Sequence, residues 1–244
     1  MTKTKTKHAE YLPLIMSIRL ATPSDLGAIV WIAVAASPAD PIFPYRYPHM
    51  DRYPEDYAAY VRVRYGENLA NPDNVVMVYE CPSIEDKSII KPVAFAVWLL
   101  PPSQRPARAV VVDATQQQRT QNDDDKPANK LQRRDANLAR MAAYQADSLA
   151  AKQRLFQEPY GDRQLYLGML ACHPDYRRRG AGGQLVAWGI AKAQTEKLTL
   201  TLFASPMGAR VYKRLGFRDV GTFRTQVPGD DEYLDSRAMV LVPV

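Results

Sequence analysis

His173-Pro174-Asp175-Tyr176-Arg177-Arg178-Arg179-Gly180-Ala181-Gly182-Gly183-Gln184-Leu185 stands between two apolar segments of different character. Residues 165–172 before it have the composition of a strand. Behind it, Leu185-Val186-Ala187-Trp188-Gly189-Ile190-Ala191 continues as a helix whose only breaker is Gly189. A strand stopped by a proline, three successive arginines and two glycines flanking Ala181 describe a basic strand-to-helix turn. Such a turn aims its backbone N–H groups at an anion, with the positive end of a helix behind them. Spacing excludes two phosphate loops: G-x-G-x-x-G needs glycine where Leu185 stands, and G-x-x-x-x-G-K-[ST] is absent. A turn with a structural task only would leave the arginine triplet unexplained.

Downstream of this turn, residues 198–203 read as a strand. Ser205-Pro206 then supplies a helix cap with a proline in the first turn, and the helix it opens stops at Gly216. Residues 217–223 and 238–242 make a final strand pair. Upstream, residues 18–21 alternate like a half-buried strand, and Thr22-Pro23-Ser24-Asp25 opens a helix to about Ala36. A Pro- and Tyr-rich loop over 37–54 is expected to be either a packed connector or a wall of an acceptor pocket. A helix over 55–65, closed by Gly66, and strands over 74–80 and 92–100 follow, the second apolar enough to be buried on both faces. Residues 101–160 read as an insertion: a polar, partly disordered segment to about Asn129, then a long amphipathic helix from Lys130 to Gln157.

The 244 residues are 46% hydrophobic, enough for one large domain or two small ones. The formal charge of +6 suits an anionic partner, but no basic stripe with interleaved aromatics points to nucleic acid. Cys81 and Cys172 lie far apart with no metal-ligand spacing, which suggests neither a disulfide framework nor a metal site and fits a reducing, cytoplasmic location. The apolar stretch over 11–16 is too short for a signal or membrane segment. Residues 1–16 are expected to be a disordered basic tail and 17–244 a single α/β domain.

Arg177-Arg178-Arg179-Gly180-Ala181-Gly182, behind Leu170-Ala171-Cys172-His173-Pro174, resembles the signature [QR]-x-x-G-x-[GA] of the GNAT superfamily of acyl-CoA-dependent N-acyltransferases. A second family element is similar too: Ala204-Ser205 with Tyr212-Lys213-Arg214-Leu215-Gly216-Phe217 matches the A-S/N-x-x-x-x-x-x-Y-x-x-x-G-F helix. Together they cover about residues 164–222. The resemblance implies a mixed, mostly antiparallel sheet flanked by helices, here with a helical insertion. It implies acetyl-CoA as co-substrate, with the pantetheine arm along the backbone of Leu170, Ala171 and Cys172 at a splayed strand edge. The pyrophosphate would rest on the amides of Arg178, Arg179, Gly180, Ala181, Gly182 and Gly183, with Ser205 contacting CoA, capping the helix, or both. Tyr212 occupies the family's general-acid position, where a phenol can protonate the departing thiolate.

The family's general base is commonly a glutamate on one of the two strands beside the turn, yet 165–172 and 198–203 hold no carboxylate. His173, Asp175, a residue of the Pro-Tyr loop or a water chain stay open for that role. Trp31 and Trp188 are expected in the core, and Trp98 either there or at the acceptor pocket. The function so implied is acetyl transfer from acetyl-CoA to an amine, a small molecule rather than nucleic acid or membrane, by direct attack in a ternary complex. A different acyl donor, a protein N-terminus or lysine as acceptor, and a non-catalytic acyl-CoA sensor on the same fold are the alternatives. The protein would be a monomer or homodimer.

Overall fold

Among the described residues, seven strands form one sheet in the order β1-β2-β3-β4-β5-β7-β6. The computed structural model describes residues 16–105 and 132–242. β1 (Ser17–Leu20), β2 (Asn74–Pro82), β3 (Ile90–Leu99) and β4 (Gln164–Cys172) are successively antiparallel. β4 and β5 (Thr199–Ala204) are the parallel pair, and β6 (Arg218–Gln226) and β7 (Tyr233–Leu241) complete the far side antiparallel. The sheet is thus mixed and mostly antiparallel, with helices on both faces, as the motif-based expectation had it.

β3 is the most apolar strand, and the alternation of its side chains explains why. Ala94, Ala96 and Trp98 join one core cluster with α6 (Ala181–Glu196), while Phe95 and Val97 join another with α1 (Leu26–Ala36) and α3 (Pro54–Ala70). Both faces of the strand are covered, so a continuous apolar run is what burial requires. Gly189 of α6 has its reason here. A Cβ at this position would lie 2.3 Å from the Trp98 ring, so only glycine lets the helix approach the strand. Trp98 accordingly sits fully buried under α6 and not at a pocket.

Three expectations need correction. α3 does not stop at Gly66 but runs on to Ala70; the glycine sits against Leu26 of α1, whose Cδ2 would be 3.8 Å from an added Cβ. The Pro-Tyr loop contains a short helix, α2 (Ile42–Arg46), because Pro44 falls in its first turn, where a missing N–H removes no intrahelical bond. Trp31 is not a core residue: it is 37% exposed and stacks on His173 with centroids 3.8 Å apart.

The insertion returns to the sheet as α4 (Leu138–Lys152), later than the expected start at Lys130, because Asn137 caps it by accepting from the Arg140 N–H. A π-helical turn (Gln153–Gln157) and a short α5 (Glu158–Tyr160) follow. Arg134 is paired with Asp56 of α3, and Arg140 is held by Asp230 and Glu232 beside β7, so the start of the returning segment is tied to the domain at two places. Residues 1–15 of the tail expected over 1–16, the polar segment from 106 onward, and Lys130 itself lie outside the described residues.

Candidate active site

The two central strands part company. β4 pairs with β3 as far as Cys172, but with β5 only from Gln164 to Leu167. Gly168 has no partner in the β3 register, where Val97 faces Met169 and Trp98 faces Leu167. This bulge reverses the alternation of the strand. Leu165 and Leu167 face the α6 side, as do Leu170 and Cys172, while Met169 and Ala171 pack against α1 and α3. Beyond the bulge, β4 and β5 diverge and leave an opening through the sheet.

A cleft of about 1430 Å³ occupies this opening. It has mouths on both faces. On one lie the Arg/Gly turn, the first turn of α6, and α7 (Pro206–Arg214), whose Ala209 and Tyr212 belong to the same core cluster as Leu185 of α6. On the other lie Asp40, Arg46 of α2, Arg64 of α3, and Tyr144, Ser148 and Lys152 of α4. The opposition is fixed by β7, whose Met239 packs on the α6 side while Ala238 and Val240 pack under Phe156 behind α4.

At the first mouth the chain turns through a short 3-10 segment, Pro174–Tyr176, and then enters two left-handed residues, Arg178 at φ 64° and Gly180 at φ 87°. Gly180 is the N-cap of α6 and accepts from the Gln184 N–H, so the amides of Ala181, Gly182 and Gly183 precede any intrahelical partner. They converge with the helix dipole on the cleft, a site suited to a phosphate. The glycines leave this surface bare: a Cβ at Gly182 would lie in contact with Leu170 at 3.7 Å, and larger side chains there would extend into the cleft.

Leu170, Ala171, Cys172, Arg178, Gly180, Ala181, Gly182 and Gly183 all line the cleft, as do Ser205 and Tyr212. Arg179 does not. Its guanidinium turns back to donate to the Asp175 carbonyl at 3.2 Å and lies over the Tyr176 ring. Arg177 lines the wall instead, its Nε directed at the Cys172 carbonyl at 3.4 Å. Ser205 caps α7 by accepting from the Gly208 N–H at 3.2 Å.

Tyr212 is buried against Phe217, and burial first, with the Asp40 charge second, pushes its phenol far above the usual range. It therefore keeps its proton at every physiological pH. Cys172 is also held protonated, burial raising its thiol to about 11, which makes it a poor nucleophile. His173 is buried under Trp31 and accepts from the Asp175 N–H, and neither it nor Asp175 reaches the cleft.

The Pro-Tyr loop places one carboxylate, Asp40, at the cleft. Asp40 lines the cleft, where its Oδ1 accepts from the Ile42 N–H at 3.2 Å and its carboxyl faces the Ser205 hydroxyl. Burial raises its pKa; the Ile42 amide, Ser205 and Arg46 pull in the other direction without cancelling the shift. A carboxylate so placed can take a proton from an ammonium group nearby.

A sequence model of the acetyltransferase (GNAT) domain matches residues 141–219, the segment from α4 through β4, the Arg/Gly turn and α7. Residues 141–219 thus carry the sequence pattern of a GNAT acetyltransferase domain. An acetyltransferase of Stachybotrys chartarum is 27% identical over 228 residues, spanning 93% of this chain and 91% of its own. Among solved structures, the fold is similar to that of the polyamine N-acetyltransferase of Drosophila melanogaster, an enzyme that catalyses formation of N-acetylagmatine. The TM-score is 0.60 at 15% identity, covering 93% of this chain and 100% of that one. The histone acetyltransferase HPA2 and related acetyltransferase from Corynebacterium glutamicum gives a TM-score of 0.55 at 22% identity, covering 94% and 97%. Within the described residues, no helix is long and apolar enough to cross a membrane.

Proposed function

We propose that this acetyltransferase moves the acetyl group of acetyl-CoA directly to the nitrogen of a small-molecule amine held at the Asp40 mouth of the cleft. The observation that carries this reading is that Asp40 and Tyr212, a carboxyl raised by burial and a phenol kept protonated, line one opening through the sheet. The amides of the α6 N-terminus and the side chains of Arg177 and Arg178 would hold the diphosphate, and the free edge of β4 from Gly168 to Cys172 would carry the uncharged arm toward the opening.

Asp40 takes one proton from the incoming ammonium group and frees the lone pair that attacks the thioester carbonyl. Tyr212 then directs its O–H at the sulfur as the carbon–sulfur bond breaks. The second proton released by the nitrogen restores the phenol. One proton leaves through Asp40 to solvent, so the products are the acetamide, CoA thiol and H⁺. The burial that raises the Tyr212 phenol also disfavours a bare thiolate in the same cleft, so donor and acceptor of the proton shift together. The raised Cys172 thiol supports direct attack over an acetylated cysteine.

The test is release of CoA thiol by purified protein given acetyl-CoA and a panel of amines, with the acetylated product identified by mass. Binding of acetyl-CoA without thiol release for any amine would overturn the proposal and leave an acyl-CoA sensor.

A further inference from the structure

Three cations line the acceptor mouth, and none of them forms an ion pair among the described residues. Arg46 donates from Nε to the Ile42 carbonyl at 3.0 Å and is packed among the rings of Phe43, Tyr47 and Tyr144. Arg64 lies within reach of the Tyr60 hydroxyl, and Lys152 has its Nζ 3.5 Å from the centre of the Tyr166 ring. Two carboxylates share the wall. Asp235 is already held by Arg224 through two hydrogen bonds of 2.8 Å, which leaves Asp40 as the one carboxylate facing three cations. Aromatic faces soften the desolvation of a cation but do not neutralise it.

The donor does not supply the missing charge. Its phosphates belong at the opposite mouth, with the α6 N-terminus and Arg177 and Arg178, and the arm that passes between the strands is neutral. An amine arriving as an ammonium ion would be matched by Asp40 alone and repelled by the other three groups. Among the described residues nothing else meets this surplus, and an acceptor that brings its own anion would. The excess positive potential is visible in Tyr60: burial opposes its ionisation, yet Arg64, the Tyr47 hydroxyl, Arg46 and Arg133 together bring its phenol below the usual range.

We propose that the acceptor is an amine bearing a carboxylate or phosphate, an amino acid or its like, whose anionic group is received by Arg46, Arg64 and Lys152 while Asp40 faces its nitrogen. This rests on the acetyl-transfer reading and adds the substrate class. It separates the protein from an enzyme built for polyamines, whose acceptor is cationic throughout.

Matched pairs of acceptors test it: L-phenylalanine against phenethylamine, L-ornithine against putrescine, and O-phosphoethanolamine against ethanolamine, with spermidine as the polycationic arm. The anionic member of at least one pair should show kcat/KM about tenfold or more above its neutral or cationic partner, the value of one charged hydrogen bond. The carboxylate and phosphate pairs tell the two anions apart. In Arg64→Gln and Lys152→Met that preference should collapse through KM, with KM for acetyl-CoA unchanged within about twofold; Lys152→Met, an apolar replacement beside Tyr166, guards against a variant that fails to fold. Faster turnover of the anion-free amines, or a preference untouched by both substitutions, overturns the inference while transfer itself stands. If no amine is acetylated, the transfer reading fails instead, and calorimetric titration of the acetyl-CoA-saturated protein with L-phenylalanine and phenethylamine still decides the pocket. Tighter binding of the amino acid supports the inference, and equal or absent binding overturns it.

Discussion

Ser205 caps α7 and at the same time faces the carboxyl of Asp40, so one hydroxyl links the helix that carries Tyr212 to the proposed base. The link couples stability to acidity. Ser205→Ala removes the cap, at a cost of about 0.5–2 kcal/mol, and also removes one of the groups that holds the Asp40 pKa down. A protonated Asp40 cannot act as base, so the acid limb of the pH profile of kcat/KM marks its titration. Burial places that limb above the ordinary carboxylate range, and Ser205→Ala should move it further up. Thermal unfolding and pH-rate profiles read the two effects separately.

Asp40→Asn keeps the shape of the loop and the contact with the Ile42 amide but abolishes the proton acceptor. The expected loss in kcat is about 10²- to 10⁴-fold, with acetyl-CoA affinity unchanged by calorimetry. Activity restored toward high pH, where the acceptor amine is already neutral, would mark the loss as one of proton removal.

Tyr212→Phe leaves the packing against Phe217 intact, so the melting temperature should move little while kcat falls about 10²-fold or more. Full kcat at every pH would remove Tyr212 from the proposed chemistry.

Gly182→Trp fills the groove against Leu170 and should abolish acetyl-CoA binding in a folded protein. Gly189→Ala should do the reverse. Its methyl group collides with the Trp98 ring, so stability should drop by about 1–3 kcal/mol while the affinity of the remaining folded protein for acetyl-CoA is retained. Calorimetry and denaturant unfolding on the two variants separate the cradle from the core.

Lys152 makes stability depend on pH in a stated direction. Burial first, then the charge of Arg105, lower its pKa to about 8 from an unfolded value near 10.5. Below about pH 8 the fold therefore holds a buried charge that the unfolded chain solvates freely. As pH rises from 8 toward 10.5, the folded state sheds its proton first and this penalty is relieved. Lys152→Met should stabilise the protein at pH 7, with the advantage shrinking toward pH 10 in chemical denaturation.

The residues proposed for the donor half could be picked out in the sequence, and they line one cleft, because they stand close together in the chain. Glycines at 180 and 182 and the cap at Ser205 are local requirements of backbone geometry, and Tyr212 follows at fixed helical distance. Asp40 was not legible in the same way. It is a lone acid among prolines, and only the fold brings its loop against α7. The one available signal was a carboxylate inside a loop already suspected of lining a pocket. The arginine triplet shows the converse: three adjacent arginines look equivalent in a sequence, but Arg177 and Arg178 line the cleft while the Arg179 guanidinium turns back to the Asp175 carbonyl. Gly66 misled because a glycine that permits helices to touch reads like one that ends a helix. Trp31 illustrates that a large aromatic can serve as a lid over a buried histidine as readily as it can fill a core.

Because the bulge at Gly168 opens the sheet from front to back, the two halves of the site are built from separate pieces of chain. One half is contiguous, from β4 to α7; the other is gathered from positions 40, 46, 64, 144 and 152. They meet where the Asp40 carboxyl faces the Ser205 hydroxyl. The acceptor side could be redesigned as an exchangeable module, by transplanting α2 and the facing stretch of α4, on a donor engine left as it is.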